Sequence, residues 1–178
     1  MISVNHGLNA YDMSLFYQGI SFKNKLQQKL NLYGAKNFQF ADRVICISDA
    51  VREEVSNIYK ANPVRIYHGG NLDLLDFSNV DENFIFAPDF KKDTIDRISR
   101  KINVKATGYG QIYYIKWVGT KTGEELAKLY KKCSFIISGS FADGFGLSPV
   151  EAAFCGKPCV VRAVGGHNET IIHGETGF

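Results

Sequence analysis

Between an apolar run at 135–138 and a helix-forming run that starts near Ser148, the chain reads Gly139-Ser140-Phe141-Ala142-Asp143-Gly144-Phe145-Gly146-Leu147-Ser148-Pro149-Val150-Glu151. A strand that passes through glycines directly into a helix is the βα step of a layered α/β protein. Gly144 and Gly146 let backbone N–H groups approach a bound oxygen, and the helix that follows adds the partial positive charge of its N-terminus. Asp143 and Glu151, eight positions apart, bracket that loop and can accept hydroxyl groups from its two sides. The layout suits an anion and a sugar held together. A purely structural reading also exists: Ser148-Pro149-Val150-Glu151 has the form of a capping box with proline in the first turn, in which Glu151 would only accept the backbone N–H of Ser148.

The downstream residues extend the pattern. Cys155-Gly156-Lys157-Pro158 is a helix stop, and Cys159-Val160-Val161 an apolar strand. Val164-Gly165-Gly166-His167-Asn168-Glu169 then makes a second glycine turn into a helix, and His173-Gly174-Glu175-Thr176-Gly177-Phe178 closes the chain. Taken in this order, the segments closely resemble the donor-binding half of GT-B retaining glycosyltransferases of the group 1, or family 4, type. In that family the loop runs acid, Gly, Phe, Gly, Leu, two small or proline positions, an apolar residue and Glu, and both later glycine turns recur.

The resemblance implies an α/β fold of the GT-B type: Rossmann-like parallel sheets with flanking helices, the donor bound at the carboxyl ends of the strands. The sequence agrees in rhythm. Strands are expected at 1–4, 43–47, 64–67, 84–87, 104–107, 113–118, 135–138 and 159–164. Phe22, Leu26, Leu30 and Tyr33 share one helical face. Ser48 and Asp49 cap a helix carrying Val51, Val55 and Ile58, and Thr122-Gly123-Glu124-Glu125 reads as a capping box ahead of Leu126, Leu129, Tyr130 and Cys133.

A full GT-B protein needs two such domains and about twice the 178 residues present. The expectation is therefore an incomplete N-terminal, acceptor-side domain over residues 1–70 and a donor-binding domain over 71–178, with the linker in the turn-rich stretch 67–73. Apolar surface left by missing units would favour a homo-oligomer or a second chain.

By resemblance, catalysis is expected of His6, at the end of an N-domain strand facing the donor sugar, and of Asp143. Gly144, Phe145, Gly146 and Leu147 would hold sugar and phosphate, Glu151 the ribose hydroxyls, and Lys92 the diphosphate. His167, in the second glycine turn, could also reach the diphosphate, whereas His68 and His173 read as turn residues. The family places an Arg and a Lys after the first strand of the donor domain. This chain has Pro88-Asp89-Phe90-Lys91-Lys92 instead, so the arginine is lost, and a lone lysine offers no bidentate fork.

No Asp-x-Asp pair occurs, so no metal and no cofactor is expected; a nucleotide-diphosphate sugar would be the donor substrate. The alternatives are a non-catalytic nucleotide-sugar-binding remnant or partner subunit, and a GT-B-fold epimerase or phosphorylase. The net charge of +3 is spread in short clusters, without the dense basic face of a nucleic-acid reader, and leaves open a peripheral contact of Lys and Arg with an anionic membrane. No run approaches the ~20 apolar residues of a membrane span. The four cysteines read as buried packing rather than zinc ligands, in keeping with a reducing, cytoplasmic setting.

Overall fold

The structure, a computed structural model, describes residues 2–5, 40–70, 72–88, 104–106, 116–140 and 142–178. The expected helix containing Phe22 to Tyr33, and the positions of His6, Lys91 and Lys92, lie outside the described residues.

Two compact units divide the chain. The first comprises Met1–His68, Phe141–Phe145 and Val164–Glu169; the second comprises Gly69–Ser140, Gly146–Ala163 and Thr170–Phe178. In the first unit β1 (Ile2–Asn5), β2 (Arg43–Cys46) and β3 (Val64–Arg65) form a parallel three-stranded sheet in the order β1-β2-β3. Ile2 stands opposite Arg43 and Ile45 opposite Val64. Helix α1 (Asp49–Tyr59) follows β2 directly. Its N-cap is Ser48, as expected, with the hydroxyl accepting the Val51 N–H at 3.1 Å. Val51 and Val55 are buried and Ile58 is half-buried, so the apolar stripe packs inward.

In the second unit β4 (Ile85–Ala87), β5 (Val104–Ala106), β6 (Lys116–Trp117), β7 (Phe135–Ser138) and β8 (Cys159–Val161) form a wholly parallel sheet in the order β6-β5-β4-β7-β8. The order reverses between β4 and β7, and such a switch point is where doubly wound sheets bind their ligands. Strands β4 and β7 are continuous apolar runs, because both faces of a parallel sheet are covered. Helix α2 (Gly123–Lys132) and helix α3 (Leu147–Phe154) flank the sheet. They bury Ala127 and Tyr130, and Pro149 and Ala152, respectively. The core gathers Phe84, Phe86, Tyr130, Cys133, Ile136, Ala152, Cys155 and Cys159, with the Phe86 and Tyr130 rings edge to face at 5.1 Å.

Neither expected capping box is the arrangement observed. Thr122 is the N-cap of α2 but its side chain makes no cap hydrogen bond; the Glu125 carboxylate pairs instead with Lys121, at 3.2 Å, outside the helix start. In α3 the N-cap is Gly146, not Ser148, with a φ of 88°, and Pro149 falls at the third helical position. A left-handed turn is open to glycine at little cost, so the helix begins two residues earlier than a serine cap would set it.

Candidate functional site

Three short segments carry the residues singled out by sequence: 142–145, 146–151 and 164–169. The first and third belong to one compact unit and the second to the other.

In the first unit the 142–145 loop is fixed by its own aspartate. Asp143 Oδ1 accepts the Phe145 N–H at 3.0 Å, an Asx turn that folds Gly144 inward. Asp143 Oδ2 lies 3.5 Å from His167 Nε2, and the His167 side chain is buried. The glycine turn closes against this loop: Gly166 N donates to Asp143 O at 3.0 Å, and a Cβ on Gly166 would fall 2.7 Å from both the Gly144 and the Phe145 carbonyl oxygens. Gly166 is therefore required for close backbone approach, not for an unusual φ. Within the turn, His167 N donates to Val164 O and Glu169 N to Gly166 O, which starts α4 (His167–Thr170). The Phe145 ring lies near those of Tyr67 and His68, with centroids at 5.8 and 6.2 Å.

In the second unit, α3 opens on the left-handed Gly146 and carries Glu151 in its second turn. Glu151 lines a cleft of about 100 Å³ with Leu74, Leu75, Gly123, Leu126, Ala127 and Tyr130. Buried Ser138, Gly139 and Ser140 lie at the carboxyl end of β7, leading from the switch point of the sheet toward this helix.

The predicted residues thus fall into two groups. Asp143, Gly144 and Phe145 share the first unit with His167, while Gly146, Leu147 and Glu151 share the second. Sequence reading missed the Asp143–His167 pair and any role for Glu169, whose carboxylate accepts the N–H groups of Asp49 at 2.8 Å and Ala50 at 2.9 Å. The spacing of 119 and 120 residues leaves no local signal for that contact.

Comparison with known proteins bears on the family and the fold. Residues 99–178 match the family glycosyl transferases group 1. An uncharacterized glycosyltransferase of Methanocaldococcus jannaschii is 30% identical over 174 residues, an alignment that covers 84% of this chain and 49% of that protein. The sucrose-phosphate synthase of Thermosynechococcus elongatus superposes with a TM-score of 0.79 at 22% identity, over 99% of this chain and 53% of the other. Anabaena HepE, crystallised with UDP-glucose, superposes with a TM-score of 0.75 at 20% identity, over 99% and 57%. The chain spans about half the length of such relatives. By that match residues 99–178 belong to the glycosyl transferases group 1 family, on a fold of the GT-B type.

Proposed function

We propose that the chain carries the donor-binding part of a retaining glycosyltransferase that moves a sugar from a nucleotide-diphosphate sugar to an acceptor without a metal ion. Glu151 carries this reading: as an acid in the second turn of α3, on the wall of a small apolar cleft, it would accept two ribose hydroxyls. The start of α3 at a glycine, with no side-chain cap bond, leaves the positive end of that helix to offset the charge that a leaving diphosphate gathers. In this reading the backbone of Gly144, Phe145, Gly146 and Leu147 holds phosphate and sugar, Lys92 adds one cation to the diphosphate, and His6 and Asp143 face the sugar. The crystallised partner of Anabaena HepE makes UDP-glucose the first donor to try.

Calorimetric titration with UDP-, GDP- and ADP-sugars in excess EDTA tests the reading. One nucleotide should bind, and Glu151→Gln should weaken it by about 1.5–3 kcal/mol, the range for a charged hydrogen bond, with a smaller loss of stability. Unchanged affinity with a lowered melting temperature would make Glu151 a packing residue, and binding restored only by Mg²⁺ or Mn²⁺ would overturn the metal-free mechanism. A second reading, a nucleotide-sugar-binding partner subunit, is favoured by the missing arginine before Lys91 and Lys92; tight binding with no donor hydrolysis or transfer would select it.

A further inference from the structure

The first turn of an α-helix leaves its backbone N–H groups without intrahelical partners, and α1 satisfies them in an uneven way. Val51 N, at the third position, donates to the Ser48 hydroxyl, which is ordinary capping. Asp49 N and Ala50 N, at the first two positions, both donate to the carboxylate of Glu169, one to each oxygen, at 2.8 and 2.9 Å. The first intrahelical bond follows, from Arg52 N to Ser48 O at 3.0 Å. A carboxylate at this end also meets the positive end of the helix dipole. The neighbouring acid, Asp49, is offset by Arg52 at 2.9 Å and Arg65 at 3.3 Å, so two carboxylates can share the turn.

Glu169 stands at the end of a short chain of contacts. Its own N–H donates to Gly166 O, Gly166 N donates to Asp143 O, and His167 of the same turn faces the Asp143 carboxylate. We propose that Glu169 is a positioning residue: by chelating the first two N–H groups of α1 it holds the 164–169 turn, and through it His167 and the Asp143 loop, in the geometry that donor binding uses. The effect on the donor rests on the glycosyltransferase reading; the clasp itself does not. A carboxylate gripped by two N–H groups fixes a turn in both translation and tilt, which one hydrogen bond cannot do, and charge-assisted bonds of this kind are the strong ones.

The test uses the whole chain and the variants Glu169→Ala and Glu169→Gln, with two readouts taken below their melting temperatures: UDP-glucose affinity, and amide exchange at 142–145 and 164–168 relative to β7. Glu169→Ala should lose about ten-fold or more in affinity, and Glu169→Gln, which keeps one acceptor oxygen, should recover part of that loss. Exchange in both stretches should quicken in Glu169→Ala while β7 keeps its wild-type rate. Exchange unaltered in both stretches overturns the proposal, as does wild-type affinity accompanied only by a lower melting temperature. If the wild-type chain takes up no nucleotide sugar, the functional reading fails, and the exchange of the two stretches alone decides whether the clasp exists.

Discussion

The turns at 142–145 and 164–169 and the core around β4 and β7 are held together by opposite means. In the turns, apart from the Phe145 ring against Tyr67 and His68, the contacts are backbone to backbone or charge-assisted: Gly166 N on Asp143 O, the Asp143 side chain on Phe145 N, Glu169 on α1. Each depends on direction and on one particular residue type. In the core Phe84, Phe86, Tyr130, Ile136 and three thiols fill space, and what counts there is apolar volume. A polar turn can therefore be inactivated while the chain stays folded, whereas a core change costs stability while leaving the shape of the turns intact.

Phe86→Ala attacks the core side of that contrast and should have the largest effect. The ring is fully buried and meets Tyr130 edge to face, so removing it should cost about 3–5 kcal/mol of unfolding free energy. Denaturant titration measures that loss, and the nucleotide affinity of the fraction that remains folded should equal that of wild type. A marked loss of affinity at unchanged stability would erase the distinction between the two regions.

Gly166→Ala attacks the turn side. The added carbon would meet only backbone, the Gly144 and Phe145 carbonyls at 2.7 Å, and backbone cannot swing aside as a side chain can. Overpacking of this kind costs about 1–3 kcal/mol, and here the strain should appear mainly as lost donor binding, because the loop that yields is the one carrying Asp143. Gly177→Ala is the matched control, since its new carbon would strike the backbone of Cys159 in β8, within the second unit. It should lower the melting temperature and spare affinity. Equal losses of affinity in both variants would show that the turns are only as local as any other packed glycine.

How much of this could be read beforehand follows the same division. Strand β7 was legible to the residue, since a short apolar run bounded by glycine admits few alternatives. The Ser48 cap and the inward stripe of α1 were legible for the same local reason. Expected strands such as 64–67 shortened to Val64–Arg65, because pairing extends only as far as Ile45 and Cys46 provide partners. The start of α2 at Thr122 was legible but its capping box was not, since Lys121 takes the carboxylate of Glu125, and in α3 a left-handed glycine displaces Ser148 as cap. Both outcomes depend on rotamer and backbone competition that composition does not record. The grip of Glu169 on α1 and the facing of His167 with Asp143 arise only when distant stretches meet, so no local pattern announces them.

The smallest expected effect concerns the thiols, and it separates the regions by chemistry instead of by mutation. Burial pushes Cys133 and Cys159 up to about 12 from an ordinary value of 9.0, and Cys46 up to about 11, with Glu54 adding to the rise at Cys46. Cys155 is raised as well, again chiefly by burial. The reactive species is the thiolate, so none of the four should be alkylated in the folded chain near pH 8, and nucleotide affinity should survive treatment with iodoacetamide. The sign of the pH effect follows from the raised values. Between the unfolded value near 9 and the folded values of about 11 to 12 the native chain retains thiol protons that the unfolded chain has released, so stability is full below pH 9 and declines as pH rises through that window. Melting temperature measured from pH 7 to pH 11 should fall only in the upper half of that range, and labelling should appear together with unfolding. A thiol that reacts at pH 8 in the folded chain, with binding lost at the same rate, would mean that the core opens into the site, and the contrast between a space-filling core and direction-dependent turns would fail.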